Sequence, residues 1–193
     1  MFLTTRSGYM TIGIDISQIV YEGTGVSRYM RGMVEALLRE DKVNEYILFG
    51  ATLRRGQVIR SWFDSVKKLS PRVRLVCIPV QPSLLDILWN RMHILPVELF
   101  IGAVDIFWSS DWTQPPLARA RGVTTIHDVS FLRFPESFAE SIVAVQKRRL
   151  ARAKSACQVF FCDSEATRRD VISYLGIPEK NTQTLYPGFS LSI

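Results

Sequence analysis

A histidine and an aspartate stand side by side in the stretch VTTIHDVSFLRFP, directly after a run of β-favouring residues. At neutral pH an imidazole can donate a hydrogen bond from one ring nitrogen and accept one at the other, so His127 is suited to orienting a ligand hydroxyl. The chain has only two histidines. The alternative role is structural, a hydrogen bond that fixes the loop after the strand. The local sequence leaves both roles open.

A second candidate is the turn YEGTGVSRYM, in which Gly23, Thr24 and Gly25 separate a predicted strand from a predicted helix. Free amides and the positive dipole end make a helix N-terminus a favourable place for a phosphate. Alternatively, the glycines only let the chain turn tightly into the helix. A dinucleotide fingerprint GxGxxG is not expected, because Arg28 stands at the third glycine position.

Asp111 and Trp112, in SSDWTQPP, follow another predicted strand end. A carboxylate accepts hydrogen bonds from hydroxyl groups and an indole stacks on a sugar face, so the pair suits a saccharide ligand. The alternative is a turn with a Pro-rich exit and a half-buried tryptophan. For Ser164 and Glu165 we favour a structural role, as N-cap and first-turn acid of a helix.

Hydrophobic periodicity alternates between strand-like and helix-like segments, which predicts an α/β fold. We expect a doubly wound, mostly parallel, Rossmann-like sheet with helices on both faces and ligands beyond the carboxyl ends of the strands. The predicted strands are 11–17, 45–50, 73–78, 105–109, 122–126, 158–162 and 182–185, and the predicted helices are 26–40, 56–69, 84–99, 140–156 and 165–175.

With 193 residues, 47% of them hydrophobic, the chain can bury a full core, and its net charge of +6 favours anionic partners. Three cysteines without a CxxC pair are interpreted as buried thiols in a reducing compartment. We expect neither an export signal nor a membrane-spanning helix. Two basic segments, 54–69 and 147–154, are candidates for contact with anionic lipid, although the stripe Ile59, Trp62, Phe63, Val66 and Leu69 is also typical of a helix packed on a sheet.

Four segments in succession, IGIDISQIVYEGTGVSRYMRGMVEALL, VDIFWSSDWTQPP, VTTIHDVSFLRFPESF and CDSEATRRDVISYLGIPEKNTQTLYPGFS, resemble the N-terminal domain of retaining family 4 glycosyltransferases of the GT-B architecture. The resemblance implies that Gly23, Thr24 and Gly25 approach the diphosphate of a nucleotide-sugar donor and that His127 contacts the donor sugar and phosphates. It also implies a saccharide or lipid-linked acceptor near Asp111 and Trp112. The nucleotide-sugar would be a substrate, so neither a cofactor nor a metal is expected.

The resemblance also predicts the organisation of the chain. Residues 1–10 are interpreted as an N-terminal extension, 11–188 as the acceptor-side domain, and 189–193 as the start of a linker to a C-terminal donor-binding domain. Thr24 and Ser17 depart from the family pattern, which commonly has glycine and a basic residue at these positions. We expect a cytoplasmic protein, peripheral at the inner face of a membrane if lipid contact occurs. The alternative function is a non-catalytic phosphate-binding or nucleic-acid-binding module, although no recognisable RNA-binding motif accompanies the basic residues.

Overall fold

The computed structural model of the chain describes residues 8–188, which form one seven-stranded sheet. The strand order is β3-β2-β1-β4-β5-β6-β7 and every neighbouring pair is parallel. Strands β2 and β3 therefore lie on one side of β1, and strands β4 to β7 lie on its other side. The strands are β1 Thr11–Asp15, β2 Glu45–Ala51, β3 Val73–Ile78, β4 Ile106–Ser109, β5 Arg121–Ile126, β6 Cys157–Cys162 and β7 Thr182–Thr184.

Crossover connections join the parallel strands, and all of them contain helices except the loop 110–120 between β4 and β5. The N-cap predicted at Ser164 is present, since its hydroxyl group accepts a hydrogen bond from the Thr167 amide, and Thr24 caps α1 in the same way through the Ser27 amide. The helices are α1 Gly25–Glu40, α2 Gly56–Val66, α3 Pro82–Leu85, α4 Glu98–Ile101, α5 Ser130–Arg133, α6 Glu140–Ala156 and α7 Glu165–Leu175, with a π-helix at Asp86–Arg91 directly after α3.

Apolar side chains from alternate positions of the strands fill a core on each face of the sheet. Tyr46 and Leu48 of β2 point to the face covered by α1 and α2, whereas Ile47 and Phe49 point to the face covered by the segment from α3 to α4. A third cluster joins β5 and β6 to α5, α6 and α7. The sequence-based prediction of a doubly wound α/β sheet is therefore confirmed.

The predicted helix over 84–99 is wrong as a single element. The chain leaves the π-helix at Arg91 and forms a loop before α4. His93 and Leu95 in that loop adopt left-handed backbone angles, with φ of 54° and 61°. Pro96 lacks the amide hydrogen and disfavours a helical conformation at the residue before it, so the apolar periodicity here did not indicate a continuous helix.

Three smaller predictions can be compared with the structure. Strand β1 ends at Asp15 rather than at residue 17, because Ser17–Val20 forms a 3-10 turn. Cys157 and Cys162 are buried free thiols as predicted, but Cys77 is only partly buried. Among the described residues no helix is long and apolar enough to cross a membrane. Residues 1–7 of the predicted extension and 189–193, the predicted linker, lie outside the described range.

Candidate functional site

A groove of about 900 Å³ opens beyond the carboxyl ends of the strands. Its inner end lies where β1 and β4 are neighbours, which is the point at which the strand order reverses. Ser17 and Gln18 line it on the β1 side, and Ser110 and Asp111 on the β4 side. Ligands of doubly wound sheets bind in the crevice at such a switch point, because the connections on either side of it diverge.

The glycine turn forms one edge of this groove, through Thr24. Gly23 has φ of +85°, a conformation that L side chains rarely adopt. Thr24 and Gly25 follow it in exposed positions, and α1 begins at Gly25. The Thr24 hydroxyl group caps the Ser27 amide, while no hydrogen bond among the described residues uses the amides of Gly25 and Val26. The turn therefore presents two free N–H groups at the positive end of α1.

His127 follows β5 directly and is held by a residue that the sequence analysis did not single out. Its Nδ1 lies 2.6 Å from Oδ2 of Asp163, which follows the neighbouring strand β6. The ring edge also meets Tyr29 of α1, with ring centroids 5.1 Å apart at an angle of 87°. A carboxylate accepts the Nδ1 hydrogen, so Nε2 is the ring nitrogen that remains for a ligand.

The loop that carries Asp111 and Trp112 is pinned from two sides. Buried Asn90 of the π-helix donates to the Trp112 carbonyl at 2.9 Å and accepts from the Gln114 amide at 3.0 Å. Gln146 of α6 donates to the carbonyl of Asp111 at 3.0 Å. The backbone around Asp111 is thus fixed by side chains of two other elements, which leaves its carboxylate free and keeps Trp112 38% exposed beside the groove.

Arg149 is a buried cation beneath the site. It is 1% exposed and donates to the carbonyl of Ser110 at 2.9 Å, to the carbonyl of Thr125 at 3.1 Å and to the Thr124 hydroxyl. These contacts join the ends of β4 and β5, so Arg149 fixes the spacing of the strands that precede Asp111 and His127. Arg149 belongs to the basic segment 147–154, for which contact with anionic lipid was a candidate role, and its burial rules that role out for this residue.

Two carboxylates at the switch point are buried with an oxygen that has no partner. Asp15 accepts from the amide and hydroxyl of Ser17 through Oδ1, but its Oδ2 has no hydrogen-bond partner among the described residues, and neither has Oδ1 of Asp111. Burial raises the pKa of both carboxyl groups above their ordinary range, although the nearby His127 and Arg149 act in the opposite direction on Asp111. Buried polar atoms are nearly always paired, so these oxygens are candidates for ligand contact or for support of the contacting group.

Asp111 connects the groove with a second, smaller cavity. That cavity has a volume of about 140 Å³ and is lined by His127, Asp128, Gln146 and Arg149 as well as by Asp111. Asp15 does not line the groove, whereas Asp111 lines both the groove and the cavity. The structure thus brings Asp111 and His127 together around one cavity and places Thr24 and Trp112 along the adjoining groove.

The arginines of the basic segment 147–154 are occupied by contacts within the domain. In α6, Arg148 pairs with Asp86 at 3.1 Å, and Arg152 donates to the carbonyls of Asn90 and Arg91, which leaves Lys147 and Lys154 as the exposed basic residues of that helix. In α2 the residues of the apolar stripe, Ile59, Trp62 and Val66, pack into the core. The structure therefore favours the packing interpretation of α2 over insertion of its apolar stripe into lipid.

Sequence reasoning missed Asp163, Arg149 and Asp15, and each had a usable signal. Asp163 is the first residue after β6, the same position that drew attention to His127 after β5. Arg149 lies three residues after Gln146 and four before Ala153, so helical spacing places it on the inward stripe of α6. Asp15 is the last residue of β1, but the predicted strand ran to residue 17, so Asp15 was not recognised as a residue at a strand end. Within the described part of the chain, no three His, Cys, Asp or Glu side chains are arranged to hold a metal ion.

The parallel sheet, with its order reversing between β1 and β4 and a groove at that point, defines a Rossmann-like domain. The comparison with known families gives the narrower assignment. The family described as Glycosyltransferase Family 4 matches residues 23–193, and because this covers most of the chain, the chain belongs to that family. Searches of curated proteins and of solved structures gave no significant match.

Proposed function

We propose that this domain is the acceptor-side, N-terminal half of a GT-B glycosyltransferase that moves a sugar from a nucleotide-sugar to a hydroxylated acceptor with retention of configuration. The observation that carries the proposal is the buried Asp111 carboxylate, which lacks a partner on Oδ1 and lies between the groove and the cavity of His127. An acceptor hydroxyl group that donates to this oxygen removes the cost of leaving it unpaired.

The acceptor enters through the groove and the donor approaches from the His127 side. Trp112 offers a face on which a sugar ring or an apolar group of the acceptor packs. The free amides of Gly25 and Val26, at the start of α1 beside the Gly23–Thr24–Gly25 turn, bind the donor diphosphate in this proposal, whereas the Thr24 amide is already bonded to the Tyr21 carbonyl. His127, held at Nδ1 by Asp163, uses Nε2 to accept from a donor-sugar hydroxyl in its neutral form or to donate to a phosphate oxygen in its protonated form.

During transfer the acceptor oxygen forms a bond to the anomeric carbon as the bond from that carbon to the diphosphate breaks. The electron pair of the broken bond leaves with the phosphate oxygen, and the proton of the acceptor hydroxyl passes to that oxygen. Negative charge therefore grows on the diphosphate, where preorganised N–H donors are most effective. Asp111 orients the attacking hydroxyl, and no side chain of this domain is assigned as a covalent nucleophile.

The nucleotide-sugar is a substrate in this proposal, so the domain has no separate cofactor. A C-terminal domain supplies the remaining donor contacts. The chain catalyses sugar transfer only together with that domain. We place the reaction on the cytoplasmic side of the cell, where nucleotide-sugars serve as substrates. A saccharide or a lipid-linked saccharide is the proposed acceptor, because it has hydroxyl groups for Asp111 and a ring face for Trp112. Nucleic acid is not an expected partner, because the arginines of α6 that were candidates for phosphate contact are engaged within the domain.

The native-length protein tests the proposal directly. It is incubated with a panel of nucleotide-sugars and a mixture of saccharide and lipid-linked acceptors, and release of the nucleoside diphosphate is followed together with product formation. We expect one donor to be consumed in an acceptor-dependent manner, with the anomeric configuration retained in the product by proton NMR. Inversion would refute the retaining assignment, and binding of RNA at low salt without any donor turnover would favour the phosphate-binding alternative.

A further inference from the structure

Six large apolar side chains lie exposed on one short stretch of the chain, residues 84–99, which is called the apolar segment below. Their relative exposure ranges from 40% for Ile94 to 68% for Leu99. Clustered exposed apolar residues of this kind mark an interaction surface, whereas single ones need no explanation. The six are Leu84, Ile87, Met92, Ile94, Leu95 and Leu99.

The backbone holds these side chains outward in a defined geometry. Trp89 donates from Nε1 to the Leu95 carbonyl at 3.0 Å, and the Trp89 carbonyl lies 2.9 Å from Nδ1 of His93. His93 and Leu95 are the two non-glycine residues with positive φ in the described chain. Left-handed backbone at a bulky residue such as Leu95 is unfavourable and persists only when surrounding contacts enforce it. The loop is therefore built to display Ile94 and Leu95 rather than left exposed by loose packing.

Three arginines, Arg91, Arg148 and Arg152, belong to the apolar segment or contact it, against two acids. Its two acids are occupied: Asp86 pairs with Arg91 at 3.2 Å and Arg148 at 3.1 Å, and Oε1 of Glu98 accepts from the amides of residues 118–120. Arg91 remains 57% exposed, and Arg152 of α6 lies against the segment through hydrogen bonds to two of its carbonyls. An exposed apolar surface at which basic residues outnumber acids complements an anionic bilayer.

The apolar segment also borders the acceptor groove. Leu85 and Asp86 line that groove, together with Trp112, Arg54 and Arg55. A bilayer in contact with the segment would therefore meet the mouth of the groove.

We propose that residues 84–99 form a membrane-docking surface that inserts its apolar side chains into the headgroup region of anionic lipid. This surface differs from the basic helices α2 and α6 that the sequence suggested, because α2 packs its apolar stripe into the core and α6 uses its arginines for contacts within the domain. The proposal does not depend on the transfer reaction, since vesicle binding is measured without donor or acceptor.

The test is sedimentation of the native-length protein with vesicles of phosphatidylcholine alone and with added phosphatidylglycerol. We expect binding to the anionic vesicles at low salt that weakens as salt is raised. The variant Ile94→Ser/Leu95→Asn/Leu99→Ser should bind at least about tenfold more weakly, because each change removes apolar area from the lipid contact. Asparagine is chosen at position 95 because it tolerates the left-handed backbone.

A matched control is Val43→Ser/Tyr174→Ser, which removes two exposed apolar side chains, 54% and 48% exposed, outside the apolar segment. It should bind vesicles like the unaltered protein. Should the triple variant fold poorly, hydrogen exchange on the unaltered protein replaces it: anionic vesicles should slow exchange within residues 87–95. Absence of vesicle binding, equal binding by the triple variant, unchanged exchange in 87–95, or self-association through this surface would each overturn the proposal.

Discussion

Replacement of Asp163 tests how the site controls His127. The carboxylate accepts the Nδ1 hydrogen at 2.6 Å and fixes both the ring position and the tautomer. In Asp163→Ala the ring loses this partner and can carry its proton on either nitrogen. We therefore expect the share of rings with Nε2 ready for the substrate to fall, while the edge contact with Tyr29 keeps the ring near its place.

The size of the effect follows from the strength of the contact. A hydrogen bond to a charged group contributes roughly 1.5–3 kcal/mol, and about 1.4 kcal/mol corresponds to a tenfold change in rate. Asp163→Ala should thus lower kcat by about 10- to 150-fold, with a smaller effect on KM for the acceptor. Asp163→Asn keeps a carbonyl that can accept from Nδ1 but loses the charge, and we expect it to recover part of the loss.

Two measurements separate this role from a merely structural one. Transfer kinetics of the native-length enzyme give kcat and KM, and nitrogen NMR of the imidazoles reports the tautomer, with the His127 signal assigned by its loss in His127→Ala. Asp64→Ala, on the exposed face of α2, is the control and should leave both unchanged. Unaltered kcat in Asp163→Ala, or an unaltered tautomer population of His127, would refute the reasoning.

Three further predictions concern the buried charges and the glycine turn. Arg149→Met should lower the free energy of unfolding by about 3–5 kcal/mol, because it removes three hydrogen bonds and the cation near Asp111, whereas Lys147→Met at the surface should not change the unfolding midpoint. Asp111→Asn should raise Tm near pH 7 while lowering transfer. Burial raises the pKa of this carboxyl above 3.8, so the ionised form opposes folding at neutral pH, and the gain should vanish below about pH 4, where folded and unfolded chains are both protonated. Gly23→Ala should cost about 1 kcal/mol at its φ of +85° and raise KM for the donor, whereas Gly25→Ala, with open space at the added carbon, should leave the denaturant midpoint unchanged.

The sheet could be predicted from sequence because its strands are short apolar runs with clear ends. Strands β2 and β3 were located to within one residue, and the start of α1 after the glycine turn was found together with its neighbour β1. Local pattern was sufficient in these places because propensity, periodicity and turn residues agree. The same agreement correctly predicted that His127 and Asp111 follow the ends of strands.

The sequence pattern was insufficient to predict the structure where tertiary contacts determine the conformation or burial of a residue. Between 84 and 99 the apolar spacing suits a helix, yet Pro96 and the hydrogen bonds of Trp89 enforce a loop. Arg149 is charged and was expected at the surface, but three oxygens from β4, β5 and their loops compensate its burial. Only the folded sheet brings these acceptors together, and only the neighbouring strand β6 brings Asp163 to His127.

The central claim is that sugar transfer takes place beside His127, and the most direct measurement is the turnover of His127→Ala with a water-soluble acceptor. The second histidine supplies the control, since His93→Asn removes an imidazole outside the site and retains a residue that accepts the left-handed backbone. We expect kcat to fall by roughly a hundredfold or more in His127→Ala and to be unchanged in His93→Asn. Turnover of correctly folded His127→Ala within about threefold of the unaltered enzyme would contradict the account.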